Sequence, residues 1–213
     1  MTLSRRSLLA ATTLALVPAG VWAQVGKPLS AADQALVDRA TEYLQGLTEA
    51  KARFIQTDAR GGQTQGTLFL SRPGRARFDY DAPSGLLVVA DGTNVSVQDS
   101  RLKTFERFPL GSTPLSIFLA KTIRFDRTVT VGAVMRTEEG FTIAARDRRR
   151  RIPGAIALSF ADNPLRLTGW TVTDAQNRAT RVRLANLAAV RSDPALYVLK
   201  DTRRGSSDMR PRM

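Results

Sequence analysis

Cysteine and histidine are both missing from this chain of 213 residues. Without cysteine there is no disulfide framework and no thiolate nucleophile, so the fold must stand on its apolar core alone. Without histidine, Ser-His-Asp and Cys-His arrangements are excluded, as are nearly all zinc and copper sites. No phosphate-cradling loop or dinucleotide fingerprint is present; Gly61-Gly62 and Pro73-Gly74 read as turn glycines. No stretch reaches the ~20 apolar residues that a membrane-spanning helix needs. Acidic residues are scarce, with 19 Asp and Glu against 32 Lys and Arg, for a net charge of +13. Such a balance suits anionic partners: nucleic acid, lipid headgroups or an acidic protein surface. Nucleic acid is not supported, because neither zinc-finger spacing nor a basic stripe interleaved with aromatics accompanies the charge.

The first residues read as an address. Ser4-Arg5-Arg6-Ser7-Leu8-Leu9 has the twin-arginine form, an apolar run follows to Val17, and Val21-Trp22-Ala23 offers small residues for cleavage. The arginines also fit the positive start of an ordinary secretory signal. Either way, residues 1–23 are an export signal, residues 24–201 one domain, and the Gly- and Ser-containing tail 202–213 disordered.

Leu29 to Leu47 reads as the one long helix. Ser30 and Asp33 form a capping pattern, and Leu36, Ala40, Tyr43, Leu44 and Leu47 recur at helical spacing. From Ala52 the period changes to two. Strands are expected over 53–57, 66–72, 75–81, 86–90 and 94–98, joined by tight turns, which gives an antiparallel meander. Residues 105–122 are expected to interrupt it, with a short helix starting at Thr113-Pro114. Strands resume over 128–134, 141–145, 156–160, 165–173 and 180–187, and Pro194–Leu199 closes the fold.

The hairpin around Pro73-Gly74 is the most informative stretch. Side chains two apart share a strand face, so Leu68, Leu70 and Arg72 point the same way. Pattern alone favours an Arg72 whose stem lies over the leucines with its head in water. The alternative is an interior guanidinium, which requires acceptors from something packed above it. Parity places Phe54, Leu68, Leu70, Phe78, Tyr80, Leu87, Val89, Val95 and Val97 inward, and Leu115 and Phe118 on the apolar face of the short helix. An ordinary barrel or sandwich core would show the same pattern. Asp79 and Asp81 share the opposite face, beside Arg75 and Arg77, where ion pairing explains them better than a catalytic dyad.

The series Arg72-Pro73-Gly74-Arg75, Arg77-Phe78, Tyr80, Pro83 and Val89-Ala90-Asp91-Gly92 resembles the periplasmic outer-membrane lipoprotein carrier family, LolA. Phe54-x-Gln56 and the Thr113-Pro114-Leu115 start of the short helix are similar to it as well. The resemblance implies a mainly β fold with some α: an incomplete, half-open antiparallel β-barrel with a helical lid over an apolar cavity. It implies a periplasmic, monomeric carrier of acylated lipoproteins with no enzymatic activity, cofactor or metal. The implied partners are an inner-membrane lipoprotein-releasing ABC transporter and an outer-membrane acceptor, either receptor protein or lipid. Arg72 takes the position of the residue that locks the lid, and the inward residues above, with Leu115 and Phe118, line the acyl cavity. A glycolipid carrier, or a sensor of another hydrophobic ligand on the same half-barrel, is the alternative. The run Arg148-Arg149-Arg150-Arg151 is not part of the resemblance. It reads either as a solvated hairpin tip or as a candidate anionic docking patch.

Overall fold

The computed structural model describes residues 29–125, 129–148 and 152–201. The export signal, Arg149 to Arg151 and the tail from 202 lie outside the described residues. Helix α1 spans Ala31–Gly46, capped as its sequence requires: the Ser30 hydroxyl accepts the Asp33 amide at 3.1 Å and donates to the Asp33 carboxylate at 2.7 Å. Eleven strands follow: β1 Glu49–Thr57, β2 Gln63–Ser71, β3 Arg75–Tyr80, β4 Leu86–Asp91, β5 Asn94–Asp99, β6 Thr104–Pro109, β7 Val129–Arg136, β8 Gly140–Asp147, β9 Ala155–Ala161, β10 Arg166–Thr173 and β11 Ala179–Ala188. Between β6 and β7 lies the short helix α2, Leu115–Leu119, and a single helical turn at Pro194–Tyr197 follows β11.

All strands join one antiparallel sheet in the order β6-β5-β4-β3-β2-β1-β11-β10-β9-β8-β7. Two meanders are thus stitched together at the centre by the first and last strands, while β6 and β7 are free edges. The sheet curls strongly. Phe78 on β3 and Trp170 on β10 have ring centroids 6.1 Å apart. Four inter-strand steps separate those strands, about 19 Å if the sheet were flat. The half-open barrel expected from the resemblance is therefore the fold observed.

Helix α1 lies across one end of this barrel. Arg136 at the end of β7, Asp162 after β9 and Arg72 after β2 all belong to the same end of the antiparallel sheet. The helix reaches each of them, through Asp33 to Arg136 at 3.0 Å, Arg39 to Asp162 at 2.9 Å and the Leu44 carbonyl to Arg72. Its buried stripe is Leu36, Val37, Ala40 and Leu44. No helix among the described residues is long and apolar enough to cross a membrane.

Residues 104–109 depart from the expected interruption of the meander, since they form β6 and pair with β5 from Asn94↔Pro109 to Asp99↔Thr104. An edge strand that is mostly exposed has no inward face to fill, so Glu106 and Arg107 hide its period, and Pro109 is tolerated at its end. Pro194–Leu199 does close the fold, but as a strap rather than a strand. It crosses the outer face of β3 to β6, where Arg77 donates to the Leu196 carbonyl at 3.0 Å and Arg107 to that of Leu199 at 3.1 Å.

Candidate functional site

The inner face of the barrel is apolar and rich in aromatics. Directly opposed residues in antiparallel strands share a face. The inner row Leu68–Phe78–Val88–Val97 therefore runs from β2 to β5, beside the row Leu70–Ala76–Ala90–Val95. Phe54, Leu68, Leu70, Phe78 and Val95 are buried, and Tyr80, Val97 and Leu115 pack against them. Phe118 of α2 drops into this interior and stacks on Trp170, with centroids 5.4 Å apart at 29°. From Trp170 the rings continue edge-on through Phe78 and Phe54, at 6.1 and 5.6 Å, to Tyr80, 5.0 Å from Phe54. Gly66 stands directly between Phe54 and Tyr80 in the pairing, and a Cβ there would lie 2.8 Å from the Phe54 ring and 2.1 Å from the Asp79 carbonyl. The glycine is what lets the two rings meet.

Leu87 and Val89 do not belong to this face. Leu87 aligns with Asp79 and Gln98, and Val89 with Arg77 and Ser96, all on the outer side. Val89 is nevertheless 1% exposed, because the 194–200 strap roofs it. Strand β4 is covered on both faces, so its continuous run Leu86-Leu87-Val88-Val89-Ala90 carries no alternation from which to read parity. The inner positions are Val88 and Ala90.

Arg72 is 8% exposed and its guanidinium is enclosed rather than solvated. One amino group donates to the carbonyls of Leu44 and, at 3.3 Å, Leu47, both at the C-terminal end of α1. The other donates at 2.7 Å to the carbonyl of Ala120, just past α2. One side chain from the β2–β3 turn thus bridges both helices. Burial lowers its pKa from the usual arginine value, yet the group stays cationic at neutral pH. Two further contacts reinforce the junction. Gln45 of α1 donates to the Lys121 carbonyl at 3.0 Å and accepts the Ile123 amide at 3.1 Å. The Gly74 amide donates to the Leu119 carbonyl at 2.8 Å; this residue holds φ +78°, and a Cβ on it would meet Gly92 Cα at 2.7 Å.

Sequence reasoning did not identify Trp170 or Gln45. A tryptophan in a strand that also carries Leu167 and Val172 signalled the first. Nothing local signals Gln45, whose partners lie 76 and 78 positions away.

Several polar groups elsewhere have defined partners. Asp81 pairs with Arg53 rather than Arg75, and Asp79 with Arg77 at 2.8 Å. The Ser30 hydrogen bond and then Arg136 hold the Asp33 carboxyl below its ordinary value, and Arg53 does the same for Asp81. Tyr80 donates to the Gln56 side-chain oxygen at 2.7 Å, and burial pushes its hydroxyl up to about 12. Among the described residues no group of histidine, cysteine or carboxylates is placed to hold a metal. Arg148 borders a groove of about 1120 Å³ between α1, the 122–125 segment and β7, whose apolar side includes Val37, Ile123, Phe125 and Val131.

Residues 45–199 match the family described as "Outer membrane lipoprotein carrier protein LolA". An outer-membrane lipoprotein carrier protein from Chromobacterium violaceum is 27% identical over 176 residues, 78% of this chain and 84% of that one. Another from Pseudomonas syringae pv. syringae is 35% identical over 108 residues, 48% of this chain, and the match spans only 47% of that protein's length. The crystal structure of a LolA superfamily protein from Nitrosomonas europaea aligns with a TM-score of 0.45 at 10% identity, covering 78% of this chain and 97% of that one. The family match takes in every strand of the sheet, Arg72 and the aromatic residues of the strands, and this chain belongs to the LolA family of outer-membrane lipoprotein carrier proteins.

Proposed function

We propose that the protein is a periplasmic carrier that takes up the acyl chains of lipoproteins released from the inner membrane and delivers them to the outer membrane. Residues 1–23 would direct export, and residues 24–201 would form the carrier. An ABC transporter in the inner membrane would load it, and an outer-membrane receptor or lipid surface would unload it. No reaction is catalysed.

The carrying observation is the Arg72 bridge above an apolar, aromatic interior. Each methylene withdrawn from water contributes about 0.8 kcal/mol, so long acyl chains drive their own sequestration. Such a carrier needs a dry interior and a means of release. In the structure the interior is filled by Phe118 and the α1 stripe, so ligand must displace the helices to enter. Three charge-assisted hydrogen bonds hold those helices down, enough to bias closure without locking it. The groove between α1 and β7 lies along the open side and offers an approach.

The test is lipoprotein release from spheroplasts of the source organism on addition of the protein purified after its own export. A native lipoprotein recovered in the supernatant as a one-to-one complex is the expected result. Absence of any release, with the membranes and ATP supply competent, would overturn the proposal.

A further inference from the structure

The inner face carries a polar interruption, at Gln56, that closure of the helices does not use. Gln56 sits in the row Thr64–Gln56–Val182–Trp170–Leu158–Ile143, which is apolar beyond its first two members. Its side-chain oxygen accepts the Tyr80 hydroxyl at 2.7 Å. A phenol that donates must face the carbonyl side of the carboxamide, which turns the amide nitrogen away from the tyrosine. That nitrogen, with its two N–H donors, has no acceptor among the described residues. Gln56 is half-buried, at the end of β1 remote from Arg72. Covering those donors with hydrocarbon would strand them, so a ligand seated here must bring an acceptor of its own.

We infer that Gln56, oriented by Tyr80, is a subsite that hydrogen-bonds the acyl carbonyl, ester or amide, where a lipid's chains join its polar part. The inference rests on the carrier reading and adds a direction to it. From Gln56 to Ala50, whose partner Leu70 lies two residues from Arg72, is six strand residues, about 20 Å. The linkage sits at the Gln56 end, and the chains run along the inner face toward Arg72, a length suited to an extended long-chain acyl group. A few placed polar groups in an apolar site commonly fix ligand orientation in this way.

The experiment compares dissociation constants of the full exported protein for a synthetic triacylated lipopeptide and for its ether-linked analogue of equal chain length. The same ester–ether pair is run with a diacyl phospholipid. The expected preference for the carbonyl-bearing lipopeptide is about five- to tenfold. Gln56→Leu removes the preference while keeping affinity for the ether analogue. Gln56→Glu, which retains an oxygen for Tyr80 but no donor, does the same, and Tyr80→Phe weakens the preference. A matching preference with phospholipid assigns the subsite to acyl esters generally, and one confined to the lipopeptide assigns it to the lipoprotein anchor; both support the inference. Equal binding of ester and ether forms by the parent, or a preference that survives Gln56→Leu, overturns it and leaves the carrier reading standing. Failure to bind either lipopeptide overturns both.

Discussion

Replacing Arg72 by leucine removes a side chain that bridges both helices, and the two consequences run in opposite directions. The guanidinium makes three hydrogen bonds to carbonyls, each charge-assisted and worth roughly 1.5–3 kcal/mol before the cost of its own desolvation. One of those acceptors, the Leu44 carbonyl, also receives the Leu47 amide at 3.2 Å and is not orphaned by the change. Leucine further restores apolar contact with Leu70. The net loss from the closed state is therefore about 2 kcal/mol. The unliganded protein should melt about 4–8 °C lower. If ligand competes with closure, the same 2 kcal/mol no longer opposes binding, and affinity for an acyl ligand should rise by up to about 30-fold, with transfer onward slowed to match. A titration with a fluorescent acyl probe, a thermal melt and a transfer assay to outer-membrane vesicles read all three. Arg72→Lys should behave like the leucine variant, because a point charge cannot fork between two helices. A variant that melts lower and also binds more weakly would show that Arg72 belongs to the ligand site and not to the closure, and the reasoning would fail.

Val88→Asp should abolish folding or ligand uptake, whereas Leu87→Asp, on the outer side of the same strand, should leave uptake measurable; soluble yield and probe binding compare the two. Gly66→Ala forces the Phe54 ring and the β3 backbone apart, and denaturant unfolding should record a loss of about 1–3 kcal/mol. Phe118→Ala should cost about 3–5 kcal/mol, less whatever the site recovers by collapse, and should shift Trp170 fluorescence, because that ring loses its stacked neighbour. Asp33 and Asp81 have depressed pKa values when folded, so their contribution is present above the ordinary carboxylate pKa and is lost as pH falls through the depressed values. With no histidine in the chain, the melting temperature by circular dichroism should stay flat between about pH 5.5 and 8 and fall only below about pH 4; a transition near pH 6.5 would contradict this.

Much of the architecture is legible from local signals because those signals agree with the final fold. The Ser30–Asp33 cap, the Leu36–Leu44 stripe and the turn at Pro73-Gly74 each determine their element without distant help. Legibility stops where a strand's environment is set by something remote. Strand β4 loses its alternation because the strap 194–200 covers its outer face from a hundred residues away. Strand β6 has no buried face at all, so no period marks it. At the site, the sequence leaves Arg72 with two readings, since its acceptors are backbone carbonyls of Leu44, Leu47 and Ala120. Backbone groups are identical at every position, and only the fold can say which come within reach.

The free edges at β6 and β7 give the barrel a mechanical property that a closed one lacks. In a closed barrel the radius follows from strand number and stagger, and it cannot widen without breaking backbone ladder bonds. Here the two rims are not bonded to each other, so the sheet can uncurl like a sprung clip while every strand pair stays intact. The curl is held by contacts across the interior, chiefly the aromatic chain and the Arg72 and Gly74 bonds to the helices. Widening of such a sheet would be continuous rather than stepwise, with its hydrogen-bond ladder unchanged.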